Sequence, residues 1–399
     1  MTKQRFDVLD SFRGLCALCV VVHHMHWSGS FTELDFFRGS DLFVEFFFVL
    51  SGFVLAHGYA YRENLAFRPY LRSRFFRLFP LHVFMLLVFV AMEGGKWVAQ
   101  QRFGLHFNNE AFSNTYAPSE FLPNLLLIHA WTPWTHALSF NTPAWSISIE
   151  FYLYILLYLT LLASVRLRHW IWLSMPLAMF GLTLTQTDLL LSPVMRGLAG
   201  FFGGAFCYHL YRRYAHAIPR SFGAATALEV TMAIGVYGVI TSHLPFHSII
   251  ATLCFGLTVL VFARQSGALS ALLQARLFRR GGELSYSLYL THGAVIYAAT
   301  SLGMVMQKVS GVTLLPMVGG ARVFDLGSPL LNNAGAALTI GTVILLLRWT
   351  YRYIEVPGQR WGRQRAKQHT TRPGFSSAES GHCRPQSSSA GHRPTSEPA

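Results

Sequence analysis

Ten times along this chain an apolar run interrupts the polar sequence. The runs are Leu15–Trp27, Leu42–Tyr59, Phe75–Met92, Ala144–Ala163, Trp170–Leu184, Met195–Tyr211, Ala224–Ile240, Ser248–Ala263, Leu284–Leu302 and Ala334–Trp349. A helix that crosses a bilayer needs roughly 20 mostly apolar residues, so the shorter runs must extend into their flanks. The expected fold is all-α: a polytopic membrane helical bundle of about ten transmembrane helices. Composition agrees, with 52% hydrophobic and only 13% charged residues. Soluble domains carry about a quarter charged residues. A disordered chain, a collagen-like repeat and a small disulfide scaffold are excluded. The formal net charge of +14 then needs a place.

Arginine supplies it in every second connection. Arg62, Arg68, Arg72, Arg74 and Arg77 precede the third run. Arg166 and Arg168, then Arg212, Arg213 and Arg220, then Arg264, Arg276, Arg279 and Arg280 follow. The alternate loops hold little base: Arg38, Lys96 with Arg102, and Lys308 with Arg322. By the positive-inside rule both termini are cytoplasmic, and the protein is a multi-pass component of the inner (plasma) membrane. None of the charge calls for nucleic acid. Phe121–Trp134, broken by Pro123 and Pro133, reads as an interfacial or re-entrant piece, because an eleventh span would flip every later Arg cluster. The first run carries Asp10 and Arg13 at its start and no small-residue cleavage site, and reads as an uncleaved helix. Residues 1–363 form the membrane domain and 364–399 a Ser-, Pro- and Gly-rich disordered tail. None of Cys16, Cys19, Cys207, Cys254 and Cys383 falls in an outer loop, so no disulfide framework is expected. Cys16 and Cys19 read as packing residues rather than as a metal or redox pair. No metal is expected.

Ionisable groups inside such runs are costly and mark function by default. Asp10, Arg13, Ala17, Val20 and His24 share one helical face, with Arg13 and His24 about 16 Å apart along it. His23 and His26 point elsewhere. Arg74 and Arg77, at i and i+3, face the same way and suit phosphate, which guanidinium binds bidentately. Asp41 and Glu45 open the second run, and Ser51-Gly52 within it suggests close helix approach. Ser146 and Glu150 are i, i+4, placing a hydroxyl beside a buried carboxylate. Ser285, Tyr289 and His292 share a face. Each cluster alone also reads as a structural hydrogen bond or salt bridge. Together they point to a hydrated cavity with chemistry in it. H-x-x-x-x-D, G-x-S-x-G, Walker and H-E-x-x-H patterns are absent, which removes support for soluble-type acyltransferase, hydrolase, ATP-driven pump and zincin readings.

The motifs resemble those of membrane acyltransferase family 3, the sugar O-acyltransferases. They are Leu9-Asp10-Ser11-Phe12-Arg13-Gly14 with His24, Phe46 to Phe53, Arg74-Phe75-Phe76-Arg77, Trp145 to Glu150, Tyr286 to His292, and Ile354-Glu355-Val356-Pro357. Ser11 stands where the family usually has Gly, and Glu45 where it usually has Asp. The resemblance implies an acyl-CoA-dependent O-acyltransferase that moves an acyl group, usually acetyl, from cytoplasmic acyl-CoA to a hydroxyl of an extracytoplasmic or membrane-linked carbohydrate or glycolipid. On that reading Arg74 and Arg77, with Arg13, hold the CoA phosphates. His24 is the general base, because the family's Arg–His spacing lands on it. Glu150 orients or charge-balances an imidazole or binds acceptor hydroxyls, and Glu45, Trp145, Tyr289 and His292 bind substrate. The competing reading is a transporter or flippase of a polysaccharide or lipid-linked sugar, with His and Glu as a proton relay.

Overall fold

A computed structural model describes residues 5–105, 107, 109–187, 189–219 and 221–370. Arg220, Cys383 and residues 371–399 of the expected 364–399 tail lie outside the described residues, and its first residues, 364–370, continue a helix. Eleven helices of fifteen residues or more carry the fold. They are α1 (Asp7–His23), α2 (Phe43–Tyr59), α3 (Phe67–Phe103), α4 (Ala144–Leu161), α5 (Val165–Leu184), α6 (Ser192–Tyr214), α7 (Phe222–Thr241), α8 (His247–Phe262), α9 (Arg276–Ser310), α10 (Pro329–Thr350) and α11 (Val356–Thr370). A π-helical turn, Tyr351–Glu355, joins the last two. The only strands among the described residues form a hairpin, Met317–Val318 with Ala321–Arg322.

Among the described residues six helical segments are long and apolar enough to cross a membrane: Ser40–Tyr59, Phe67–Phe103, Ala144–Leu161, Phe222–Thr241, Arg276–Ser310 and Pro329–Gly362. Helices suit this environment because they satisfy every interior backbone polar group within the segment. Phe121–Trp134 contains only the short helix Phe121–Leu125 followed by turns, so it does not span.

The helices overrun the apolar runs. Arg68, Arg72, Arg74 and Arg77, read from the sequence as a connection, stand on the first turns of α3. Arg276, Arg279 and Arg280 likewise open α9. Nothing at the apolar edge breaks these helices, since Arg and Leu are good helix formers. α1 errs the other way. It ends at His23, and His24 is its C-cap residue, so His26 and Trp27 lie beyond the helix.

One face of the bundle gathers the starts of α1, α3, α5 and α9 and is rich in arginine. The opposite face gathers the end of α1 and the 24–42, 104–143, 185–191, 242–246 and 311–328 connections. These are called the arginine face and the histidine face below.

Glycines set the two crossings that matter for the site. α2 meets α6 where a side chain on Gly52 would strike the Phe201 carbonyl, and one on Gly204 would strike the Val49 carbonyl. α1 lies against α9 through Gly14 and Gly282 in the same way. The close approach expected at Ser51-Gly52 is therefore present, and only glycine permits it.

Candidate functional site

A narrow cavity lies between α1, α2, α4 and α9. Arg13, Ser51, Ser146, Glu150, Ser285 and Tyr289 supply its polar lining, and Phe47, Phe48, Ile147 and Tyr286 its apolar walls. Three sequence-derived candidates, Arg13, Glu150 and Tyr289, thus meet at one cavity although 276 positions separate the outermost two.

Glu150 accepts hydrogen bonds from Tyr154 Oη at 2.6 Å and from Ser51 Oγ. The hydroxyl expected beside it, Ser146, instead donates to Tyr289 Oη at 2.9 Å. The correction has a simple cause. Residues i and i+4 share a face, yet the side chain across the cavity is closer to the hydroxyl than the neighbour one turn away. Glu150 therefore bridges α4 to α2, and Ser146 bridges α4 to α9.

Toward the arginine face, Arg13 pairs with Asp10 at 3.0 Å. Arg74 and Arg77 line one pocket together with Ser73, Phe76, Gln359 and Gly362, so they do face the same way. Arg74 donates to Tyr59 Oη at 2.9 Å and lies over the Tyr59 and Tyr154 rings. Arg77 sits in the field of Glu150, Glu355 and Asp10. Glu355, to which the sequence assigned no role, closes the π-helical turn and accepts from Ser287 at 2.6 Å and Gln359 at 3.0 Å. Such π-turns are rare and cluster at functional sites.

Toward the histidine face, the rings of His24 and His292 lie 5.0 Å apart, and Tyr289 lies 5.9 Å from His292. His24 Nδ1 is 2.9 Å from the Val20 carbonyl, and His292 Nδ1 is 3.3 Å from that of Leu288. A carbonyl only accepts, so each Nδ1 carries the proton and donates. In the neutral ring Nε2 is then left with a free lone pair. His292 Nε2 is buried and has no partner among the described residues. His23 points away, onto the Phe37 and Arg38 carbonyls. His26 also points away, onto Arg38.

Glu45 and Trp145 belong to a different cluster. Glu45 is fully buried and forms a bidentate pair with Arg196 at 2.6 and 3.0 Å, while Ser248 donates to it at 2.8 Å. The Arg196 guanidinium lies over the Trp145 ring, 5.1 Å from its centroid. Arg196 escaped sequence reading because it sits one residue inside an apolar run. A lone cation in such a run was the signal that could have found it.

The model of a family described as an acyltransferase domain matches residues 6–350, almost all of the described chain. The chain belongs to this acyltransferase family. Among curated proteins, protein 2 in the picA locus of Rhizobium radiobacter is 40% identical over 94 residues, 22% of this chain and 46% of that protein. The acyltransferase MdmB of Streptomyces mycarofaciens is 28% identical over 184 residues, 44% of each chain. The chain thus spans less than half the length of the curated relatives it matches. No solved structure matches it. The chain is thus a member of an acyltransferase family, and its described residues include apolar helices long enough to cross a membrane.

Proposed function

We propose that this acyltransferase transfers an acyl group, acetyl in the first instance, from acyl-CoA at the arginine face to a carbohydrate or glycolipid hydroxyl reached from the histidine face. The observation that carries the reading is the order of groups along the bundle. Arg74, Arg77 and Arg13 stand at one end, Glu150 with its two hydroxyl donors in the middle, and two imidazoles with free Nε2 lone pairs at the other. CoA is a polyanion, and paired guanidiniums are its natural partners.

The acceptor hydroxyl is a weak nucleophile. His24 Nε2 takes its proton as the oxygen attacks the thioester carbon. The carbon–sulfur bond breaks, and CoA leaves as a thiolate that takes up the proton released by the His24 imidazolium, which restores the neutral ring. Tyr289 Oη, which accepts from Ser146 and keeps its own proton to give, is the neutral donor that lines the cavity for a developing oxyanion, and Arg13 adds positive charge there. His292, packed on His24, keeps the imidazole pair dry and neutral. Glu150 balances Arg77 and Arg13, so that CoA phosphate meets cations already held in place.

In this reading α1, α5, α6 and α8 are also embedded, which gives ten spans with both termini in the cytoplasm of a multi-pass inner-membrane protein. The alternation of arginine between the two faces supports that orientation. The test is acetyl transfer in proteoliposomes. Purified protein given radiolabelled acetyl-CoA and a glycan acceptor should form O-acetyl ester and free CoA in equal amounts. Movement of glycan across the bilayer without consumption of acetyl-CoA would overturn the proposal.

A further inference from the structure

A second cavity, of about 430 Å3, opens among the turns of the histidine face. It is bounded by the 35–45 segment that leads into α2, by the start of α6, and by the turn between α7 and α8. Five charged side chains line it: Asp35, Arg38, Asp41, Glu45 and Arg196. His243, His247 and Ser248 complete its polar wall.

Its floor is built rather than incidental. Glu45 is wholly buried, and both its oxygens are held by Arg196. Ser248 fixes the same carboxylate from α8. Arg196 is clamped edge-on by Glu45 and face-on by Trp145, which leaves Nη1 with no hydrogen-bond partner among the described residues. A buried ion pair is a poor way to hold helices together, since apolar packing does so as well or better. A rigid guanidinium with one unspent donor edge is a good way to hold a ligand oxygen.

The cavity is also wired to the imidazoles. His23 Nδ1 donates to the Phe37 and Arg38 carbonyls in the cavity wall, at 3.2 and 2.8 Å. Arg38 donates back to the Val22 and Met25 carbonyls at the end of α1, at 3.0 and 2.8 Å. Four hydrogen bonds therefore tie the 37–38 segment to the turn that bears His24.

We propose that this cavity is the acceptor site, and that it takes a hydroxyl-rich acceptor that is neutral or cationic, not an acidic sugar. This rests on the acyl-transfer reading above and adds the acceptor's place and charge. Carboxylates accept from hydroxyls, Arg196 Nη1 donates to them, and the neutral imidazoles donate or accept as the acceptor requires. Three carboxylates face two guanidiniums, which leaves one negative charge in excess over neutral imidazoles. A carboxylate brought by the acceptor meets repulsion there, whereas an ammonium group is welcomed by Asp35 and Asp41.

The experiment uses the full chain in proteoliposomes with labelled acetyl-CoA and three acceptors: a methyl glucoside, a methyl glucosaminide and a methyl glucuronide. Binding of acetyl-CoA is measured separately. The glucoside and glucosaminide should be acetylated at least tenfold faster than the glucuronide. The combined Asp35→Asn and Asp41→Asn variant, at exposed positions that carry little packing, should narrow that ratio at least threefold. Arg196→Lys, which keeps the charge on Glu45 paired, should raise the acceptor KM about tenfold and leave the acetyl-CoA KM within twofold. Equal use of the glucuronide, a ratio unmoved by the aspartate changes, or an Arg196→Lys effect on the acetyl-CoA KM alone would overturn the assignment. Acetyl-CoA that binds but is passed to none of the three glycosides would overturn the acceptor class. Acetyl-CoA that neither binds nor is consumed would instead sink the acyl-transfer reading beneath it.

Discussion

His24 and His292 face each other at 5.0 Å on two helices that run in the same direction. Ten residues before them, Gly14 and Gly282 form the contact where α1 crosses α9. Equal spacing on both helices carries the glycine contact up about three turns, roughly 15 Å, to the imidazoles. The pairing of the two rings is thus a consequence of a glycine crossing far from them.

His24→Ala should lower transfer by 10²- to 10⁴-fold, the usual range for loss of a general base. Accumulation in membranes and acetyl-CoA affinity should stay near wild type. Equilibrium binding of acetyl-CoA beside turnover separates the two, and full turnover in this variant would refute the base assignment.

Arg77→Ala should weaken acetyl-CoA binding at least tenfold, about 1.4 kcal/mol or more. Acceptor KM should change much less. Arg77→Lys should recover only part of the loss, because lysine is a point charge without the planar fork. Titration with acetyl-CoA and with desulfo or dephospho analogues reads the phosphate contribution directly.

Arg38 covers the open carbonyls at the end of α1 and contacts His26. Removing it leaves the Met25 carbonyl without that donor, at about 1–3 kcal/mol, while the Val22 carbonyl still accepts from the Met25 N–H. Arg38→Ala should therefore lower the unfolding midpoint in detergent and slow turnover by misplacing His24. A variant with an unchanged midpoint and an unchanged rate would show that the contact positions nothing.

Gly52→Val should be more damaging than any change at the site, since the added atoms strike the Phe201 carbonyl on α6. Helices α2 and α6 cannot then meet, and Glu45 loses the register that brings Arg196 to it. Little folded protein should survive size-exclusion chromatography in mild detergent. Gly235→Val, where no atom stands near, should behave as wild type.

Acid should weaken the segment between α3 and α4, which lies beyond the spanning helices. His129 is fully buried there, and burial with His82 nearby pushes its imidazole down to about 3. The unfolded chain binds a proton near pH 6.5 and the folded chain does not. Stability is therefore whole above pH 6.5 and falls as pH drops toward 3. Between pH 7 and 5 the loss is about 2 kcal/mol. His129→Leu should flatten the dependence of the unfolding midpoint on pH, and an equally steep curve in that variant would assign the acid sensitivity elsewhere.

Much of the site was legible in the sequence because membranes make polar residues conspicuous. Arg13, Glu150, Tyr289 and His292 stood out in apolar runs, and the structure gathers them around or beside one cavity. Partners were another matter. Glu45 meets Arg196 across 151 positions and Glu150 meets Ser51 across 99, and neither pair shares a helix. Periodicity reads one helix at a time, so it offered Ser146 to Glu150 and missed Tyr154, a residue one turn the other way.

By itself, then, the sequence determined what local physics controls. Hydropathy marked where helices run, arginine marked one face of the bundle, and the cost of a buried charge marked the residues worth watching. Only the tertiary structure decided which of those residues meet. That choice depends on how closely and at what register two helices pass, and here Gly52 against α6 and Gly14 against Gly282 set both. A missing side chain has no periodicity, so its effect becomes readable only when the neighbouring backbone fills its place.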